Sequence, residues 1–215
     1  GFLLLVPSRI GTILGYQQLA VNCATNIHQQ KNQWLDKNTM KLNDETIEIA
    51  KQVKLLVLDV DGVLTDGGIY FDDSGKELKK FNALDGHGIK MLLSSGFEVA
   101  VISSRSTPSV AHRMEGLGVK HYYQGQSDKN IKMQQILETL SLNVDQVAFI
   151  GDDVIDLPVM KKIALPIAVA NAHPFVKEHA LLITENRGGN GAVREVCDCL
   201  LKAHSKYDDL MKSYL

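Results

Sequence analysis

Residues 55–68, LLVLDVDGVLTDGG, constrain the fold more than any other stretch of the chain. Four apolar residues run directly into Asp59-Val60-Asp61-Gly62. A short, uninterrupted apolar run closed by a glycine reads as a parallel strand buried on both faces. Two carboxylates, two residues apart, then leave its C-terminal end, where open α/β sheets keep their ligand crevices. On its own the acidic pair is equally well a turn signal, because Asp is depleted in strands and common in turns. Its meaning depends on what the rest of the chain brings beside it.

Downstream the pattern alternates. Residues 69–71, the turn Asp72-Asp73-Ser74-Gly75 and residues 77–81 read as a β-hairpin. Ile89, Leu92 and Leu93 then mark a helix stopped by Gly96. A strand over 98–102 precedes a helix opened by Thr107-Pro108, a cap followed by proline at the first helical position. A strand over 121–123 precedes a helix capped by Ser127, with Met133, Ile136, Leu137 and Leu140 on one face. A strand over 147–150 leads into Gly151-Asp152-Asp153 and a short helix ending at Met160. Short strands over 167–169 and 181–184 and a closing helix over 192–204 complete the series. This order predicts an α/β fold, a Rossmann-like parallel sheet with helices on both faces and a β-hairpin flap after the first strand.

The 215 residues, 45% of them hydrophobic, suffice for one such domain plus extra segments. A formal net charge of -2 gives no basic footprint for nucleic acid. No apolar run reaches the roughly 20 residues of a membrane helix. The three cysteines, Cys23, Cys197 and Cys199, are odd in number and lack C-x-x-C spacing, which argues against a disulfide framework or a zinc site. Cys197 and Cys199 read as helix packing residues. Residues 1–39 differ in character from the rest. Their apolar start lacks a basic n-region and is interrupted by Pro7 and Arg9. They are expected to be extraneous or poorly ordered, with Met40 as the native start and 40–215 as the functional domain; an arm used in oligomer contacts is the alternative.

Four polar sites fall at the ends of successive predicted strands: Asp59 and Asp61, Ser103, Lys129, and Asp152-Asp153 with Asp156 beyond. Singly, Ser103 is an ordinary turn residue, Lys129 a solvated lysine, and Asp152-Asp153 charges favoured by a helix N-terminus. Together they are the parts for phosphoryl transfer through a carboxylate. Asp59 can attack phosphorus, and Asp61 can protonate the leaving oxygen and then take a proton from water. Asp59 and Asp152 offer hard oxygen ligands to Mg²⁺. Ser103 and Lys129 can hold the transferring oxygens. Arg105 and Arg113 follow the Ser103 strand, and arginine suits bidentate recognition of a carboxylate.

In order and in type, DVDGVLTDG, ISSR, Lys129 and GDDVID resemble the four motifs of the haloacid dehalogenase superfamily of phosphatases. FNALDGHGIKML, YQGQSDK, GDDVIDLPVM and GGNGAVREVCD extend the likeness to a branch that dephosphorylates an eight-carbon acid sugar of lipopolysaccharide. The resemblance implies a capless, Mg²⁺-dependent enzyme in the cytoplasm of Gram-negative bacteria, with a small sugar-acid phosphate as substrate. It implies that Asp61 also serves the metal, through its backbone carbonyl. It further implies a substrate site of Asp61, Lys129, Asn82, Ala83, Asp85, Gly86, Lys90, Arg105 and Arg113. Lys90 and Leu84 stand where some relatives have Arg, and Asn171 where relatives commonly have Asp; His87 and His173 read as local structural residues. Resembling proteins form homotetramers built around the hairpins. Two other readings stay open: a phosphatase of a nine-carbon sialic-acid-type phosphate, and a receiver-like phospho-accepting domain, which places its acceptor on a mid-chain strand.

Overall fold

The computed structural model describes residues 43–215. The expectations for 1–39 and Cys23 lie outside the described residues. The first strand, β1 (Leu55–Leu58), is the centre of the molecule, and all four of its side chains are completely buried. Successive strand residues point to opposite faces, so burial of all four means that both faces are covered. Each such side chain contributes roughly 1.5–3 kcal/mol by leaving water. Leu56→Ala is thus a core-breaking change, at roughly 2–5 kcal/mol.

Around β1 lie β4 (Glu98–Ile102), β5 (His121–Tyr123), β6 (Val147–Gly151), β7 (Leu165–Ala168) and β8 (Leu182–Ile183). They form one six-stranded parallel sheet in the order β5-β4-β1-β6-β7-β8. The chain moves outward from β1 to β5 on one side, then returns and moves outward from β6 on the other. β1 thus sits at the reversal of strand order, where such sheets open a crevice. Register fixes the level of that crevice: Leu58 lies opposite both Val101 and Ile150. Asp59, Ser103 and Asp152 therefore leave the sheet along one edge.

The flanking helices are α1 (Asp44–Ala50), α2 (Ala83–Ser94), α3 (Pro108–Leu117), α4 (Lys129–Leu140), α5 (Leu157–Met160), α6 (Pro174–Lys177), α7 (Ala192–Ala203) and α8 (Tyr207–Lys212). Asn82 caps α2 by accepting from the Leu84 and Asp85 amides, and α3 has proline at its start and left-handed Gly118 at its end. α2 packs on α7. α7 is buried around most of its circumference, which is why both Cys197 and Cys199 are buried despite pointing to different sides. Among the described residues no helix is long and apolar enough to cross a membrane.

Several boundaries differ from the sequence reading. α4 is capped by Asp128, whose carboxylate accepts the Asn130 amide at 2.8 Å, and not by Ser127. A carboxylate at this position also meets the positive end of the helix. The hairpin forms as β2 (Tyr70–Phe71) antiparallel to β3 (Glu77–Leu78), and Phe81 bridges to Thr65 instead of extending β3. β7 begins at Leu165, which pairs with Ala148 of β6, and Pro166, though it has no amide hydrogen to give, accepts the Leu181 amide at 2.8 Å. α8 has no counterpart in the sequence reading.

One loop is seated against the end of β1 by glycines. The Gly189 amide donates to Val63 O at 2.8 Å, and a Cβ on Gly188 would lie 1.6 Å from the Gly62 carbonyl oxygen. Asn171 fixes this loop by accepting the Gly188 amide at 2.7 Å. An amide oxygen can fill that acceptor role as a carboxylate can.

Candidate active site

Three buried or half-buried carboxylates meet at the sheet edge. Asp59 ends β1 and is 5% exposed, Asp156 is fully buried, and Asp152 follows β6. One oxygen from each lies within 4.8 Å of the other two. Lys129, the first residue of α4, is 4% exposed and reaches in from behind. Its Nζ lies 2.6 Å from Asp59 Oδ1 and 2.7 Å from Asp156 Oδ1. Asp156 Oδ2 in turn accepts the Asp152 amide at 3.1 Å, closing a turn that returns the acid toward the sheet.

The backbone allows this crowding only through glycine. A Cβ on Gly62, whose φ is +92°, would lie 2.0 Å from Asp152 Oδ2. Thr65 braces the same loop, accepting the Gly62 amide and donating to Val60 O, each at 3.3 Å.

Three carboxylates against one ammonium leave the cluster electrically unbalanced. Burial and the neighbouring Asp156 push Asp59 up to about 7 against the pull of Lys129. Burial, Asp59 and Asp156 push Asp152 up to about 8. Burial would lower Lys129, but Asp59 and Asp156 outweigh it and raise its pKa. A divalent cation among these oxygens would relieve the repulsion and favour the charged carboxylates.

Ser103 follows β4 and is 2% exposed, with its Oγ accepting the Arg105 amide at 3.2 Å. A cleft of about 230 Å³ opens over these residues, lined among others by Asp59, Asp61, Ser103, Arg105 and Asp152. At its rim, Lys79 of the hairpin pairs with Asp61 and lies 2.9 Å from Glu77 Oε1. Glu77 Oε2 lies 2.7 Å from Arg105 Nη2, and Arg105 Nε lies 3.9 Å from Asp61 Oδ2. Hydrogen bonds from Lys79 and Arg105 lower the Glu77 pKa.

The structure thus brings Asp59, Asp61, Ser103, Arg105 and Asp152 to one cleft, with Lys129 behind them. The remaining residues named from sequence lie around α2. Arg113 Nη2 donates to Asn82 O at 3.1 Å, and a Cβ on Gly86 would lie 2.1 Å from that nitrogen. Asp85 is buried, accepting the Gly191 amide at 3.2 Å and the Arg194 amide at 2.8 Å at the start of α7. Ala83, Leu84 and Lys90 are exposed. His173 caps α6 through Nδ1, and His87 packs edge-on against Tyr214. From sequence, Glu77 and Lys79 at the rim read only as hairpin residues, and Asp156 stands beyond Asp152-Asp153 with no part in the acid cluster. The i, i+4 spacing of Asp152 and Asp156 and the i, i+2 spacing of Glu77 and Lys79 were the available signals.

Haloacid dehalogenase-like hydrolases match the chain over residues 123–196. The 3-deoxy-D-manno-octulosonate 8-phosphate phosphatase KdsC of Escherichia coli is 50% identical over 165 residues, 77% of this chain and 88% of that protein. The crystal structure of the Yersinia pestis phosphatase of that name superposes with a TM-score of 0.77 at 47% identity, covering 78% of this chain and 90% of that one. The Moraxella catarrhalis phosphatase, in complex with magnesium, phosphate and KDO, superposes with a TM-score of 0.79 at 37% identity, covering 81% of this chain and 100% of that one. By its sheet, by the acids at the sheet's edge and by these likenesses, the chain belongs to the haloacid dehalogenase-like hydrolases, among the 3-deoxy-D-manno-octulosonate 8-phosphate phosphatases.

Proposed function

We propose that the chain hydrolyses 3-deoxy-D-manno-octulosonate 8-phosphate to the free sugar acid and phosphate, as a Mg²⁺-dependent cytoplasmic enzyme of lipopolysaccharide biosynthesis. Residues 40–215 form the phosphatase domain in this reading. The observation that carries it is the unbalanced acid cluster of Asp59, Asp152 and Asp156 with Lys129 at the edge of the central strand.

Asp59 is the nucleophile. Its carboxylate oxygen bonds to phosphorus as the bond to the sugar oxygen breaks, and Asp61 gives that oxygen a proton. Asp61 then takes a proton from water as the water attacks phosphorus, and the bonding pair returns to Asp59. Lys129 holds Asp59 by one oxygen, leaving the other to attack. Ser103 and Lys129 balance charge on the transferring oxygens. Asp59 and Asp152 would hold Mg²⁺ with the Asp61 carbonyl, and Asp156 keeps Lys129 and the Asp152 backbone in place. Bound there, Mg²⁺ neutralises the repulsion between anionic nucleophile and anionic phosphate.

Arg105 serves the substrate carboxylate from the cleft; Asn82, Ala83, Asp85, Gly86, Lys90 and Arg113 shape the neighbouring wall. The cleft is open, and between the turn at Asp61 and β4 the chain builds only the hairpin and α2. A homotetramer that brings a second copy against each cleft would supply the missing wall. Exposed Ile69, Tyr70, Phe71 and Leu78 on the hairpin support that assembly. The test is phosphate release from the eight-carbon substrate with and without Mg²⁺, beside a nine-carbon sialic-acid-type phosphate. Preference for the eight-carbon substrate and loss of release on chelation are expected; release that ignores chelator defeats the reading. Light scattering should show a tetramer, and an active monomer would contradict that assembly.

A further inference from the structure

The hairpin is short and exposed, yet the side chain of Lys79 at its end is only 2% exposed. Lysine is almost never buried without a partner, because its long stem gives up rotamer freedom and its ammonium gives up water. Such burial is stable only where acids take up the ammonium. Lys79 has two: Glu77, two residues before it on β3, and Asp61, reached across 18 residues of chain.

The contacts divide the oxygens of Asp61 unequally. Lys79 takes Oδ1. Oδ2 lies 3.9 Å from Arg105 Nε, beyond hydrogen-bonding distance. Glu77 is the keystone of the arrangement, binding Lys79 through Oε1 and Arg105 through Oε2. The result is a ring of two acids and two cations beside the cleft that Asp61 lines, with one oxygen of Asp61 tied and the other left without a close cation.

We infer that Lys79, held by Glu77, is a positioning residue: it fixes the rotamer of Asp61 so that Oδ2 exchanges protons with the leaving oxygen and with water. The inference rests on the reading of Asp61 as general acid and base. It gives the hairpin a part in the chemistry of its own subunit. At saturating substrate, where any weakening of binding through the Glu77–Arg105 contact is overcome, a lysine that only held the hairpin down would affect release from every substrate alike. A lysine that aims a proton donor matters most when the leaving oxygen needs the proton. The sugar alkoxide needs it, whereas p-nitrophenolate, a weakly basic phenolate, departs without it.

The experiment is leaving-group release in a single turnover from the sugar-acid phosphate and from p-nitrophenyl phosphate, with wild type, Lys79→Met and Asp61→Asn. Lys79→Met should slow sugar-acid release at least about tenfold more than p-nitrophenol release, a part of the roughly 10²–10⁴-fold that general acid–base catalysis supplies. Asp61→Asn should discriminate in the same direction and more strongly. Equal slowing of both substrates by Lys79→Met, or no slowing, overturns the inference while the role of Asp61 stands on its own variant. If Asp61→Asn fails to discriminate, the acid–base assignment falls and the inference with it.

Discussion

The floor of the cleft and its rim are both built from ion pairs, but their charges are arranged in opposite ways. On the floor, Asp59, Asp152 and Asp156 face a single ammonium, that of Lys129. On the rim, Asp61 and Glu77 face Lys79 and Arg105, two acids against two cations. The floor is also the drier of the two, so its excess charge is screened less. A protein tolerates such a surplus where something binds to neutralise it. The balanced rim needs no ion, and its pairs are free to orient side chains toward a substrate that arrives already charged.

The largest effect should come from removing Asp59, the proposed nucleophile on the floor. Asp59→Asn should lower turnover by about 10⁴-fold or more and abolish acid-stable trapping of phosphate on the protein. Near-normal turnover in this variant would sink the mechanism. On the rim, Asp61→Asn should cost roughly 10²–10⁴-fold in turnover while Mg²⁺ binding, followed by calorimetry, largely survives.

Lys129→Met should deepen the imbalance, destabilising the Mg²⁺-free protein by roughly 3–5 kcal/mol in denaturant, as breaking a buried pair does. Mg²⁺ should recover part of that loss, whereas an undisturbed midpoint would mean that the floor is not held by its lysine. Asp152→Asn should instead weaken Mg²⁺ affinity so that excess metal restores part of the rate.

The floor should also show itself in pH. Asp59 and Asp152 have folded-state pKa values of about 7 and about 8, raised from the ordinary 3.8. Between about pH 4 and 8 the folded chain therefore holds protons that the unfolded chain has released, and unfolding free energy falls as pH rises. The contribution is complete below the unfolded value and lost as pH passes through the folded ones. Without Mg²⁺, the melting temperature should be lower at pH 8 than at pH 5, and Mg²⁺ should raise it more at pH 8. Asp152→Asn should flatten that profile; an equally steep one would place the titrating group elsewhere.

The smallest effects belong to the two arginines proposed to meet the substrate acid. Arg105→Ala should raise KM about tenfold, the loss of one charged hydrogen bond of roughly 1.5 kcal/mol. Arg113→Ala should raise it less, because Arg113 is already engaged by the Asn82 carbonyl. If neither variant changes KM or turnover, recognition of the substrate acid does not pass through them.

The sheet was legible because its strands are apolar runs whose burial needs no knowledge of partners, as at residues 55–58 and 147–150. Asp59, Ser103, Lys129 and Asp152 were legible because each ends a strand or begins the helix after one. The roles of Asp156, Glu77 and Lys79 were not. Asp156 depends on a tight turn that folds it back beneath Lys129, and the rim pairs span 18 and 28 residues of chain. Asp85 tells the same story: its carboxylate meets amides 106 and 109 residues away, which no local pattern announces. Local signals place a residue along a strand or helix, but the direction in which a charged side chain finds its partner belongs to the tertiary fold.

The glycine contact between the Gly188 loop and the end of β1 bears on when the site comes into being. Asp59 leaves a strand near the start of the described residues. Its lysine lies 70 residues later, and the backbone of Gly188 seats against Gly62 from far beyond that. Contacts of such sequence separation are slow to form, because loop closure must come before they stabilise anything. A growing polypeptide that has presented β1 and its hairpin still lacks Lys129, Asp152 and the Gly188 loop that seats against the turn after Asp59. The acid cluster and its bracing loop are therefore complete only once the chain's last third, which carries Asp152, Asp156 and Gly188, has docked on β1.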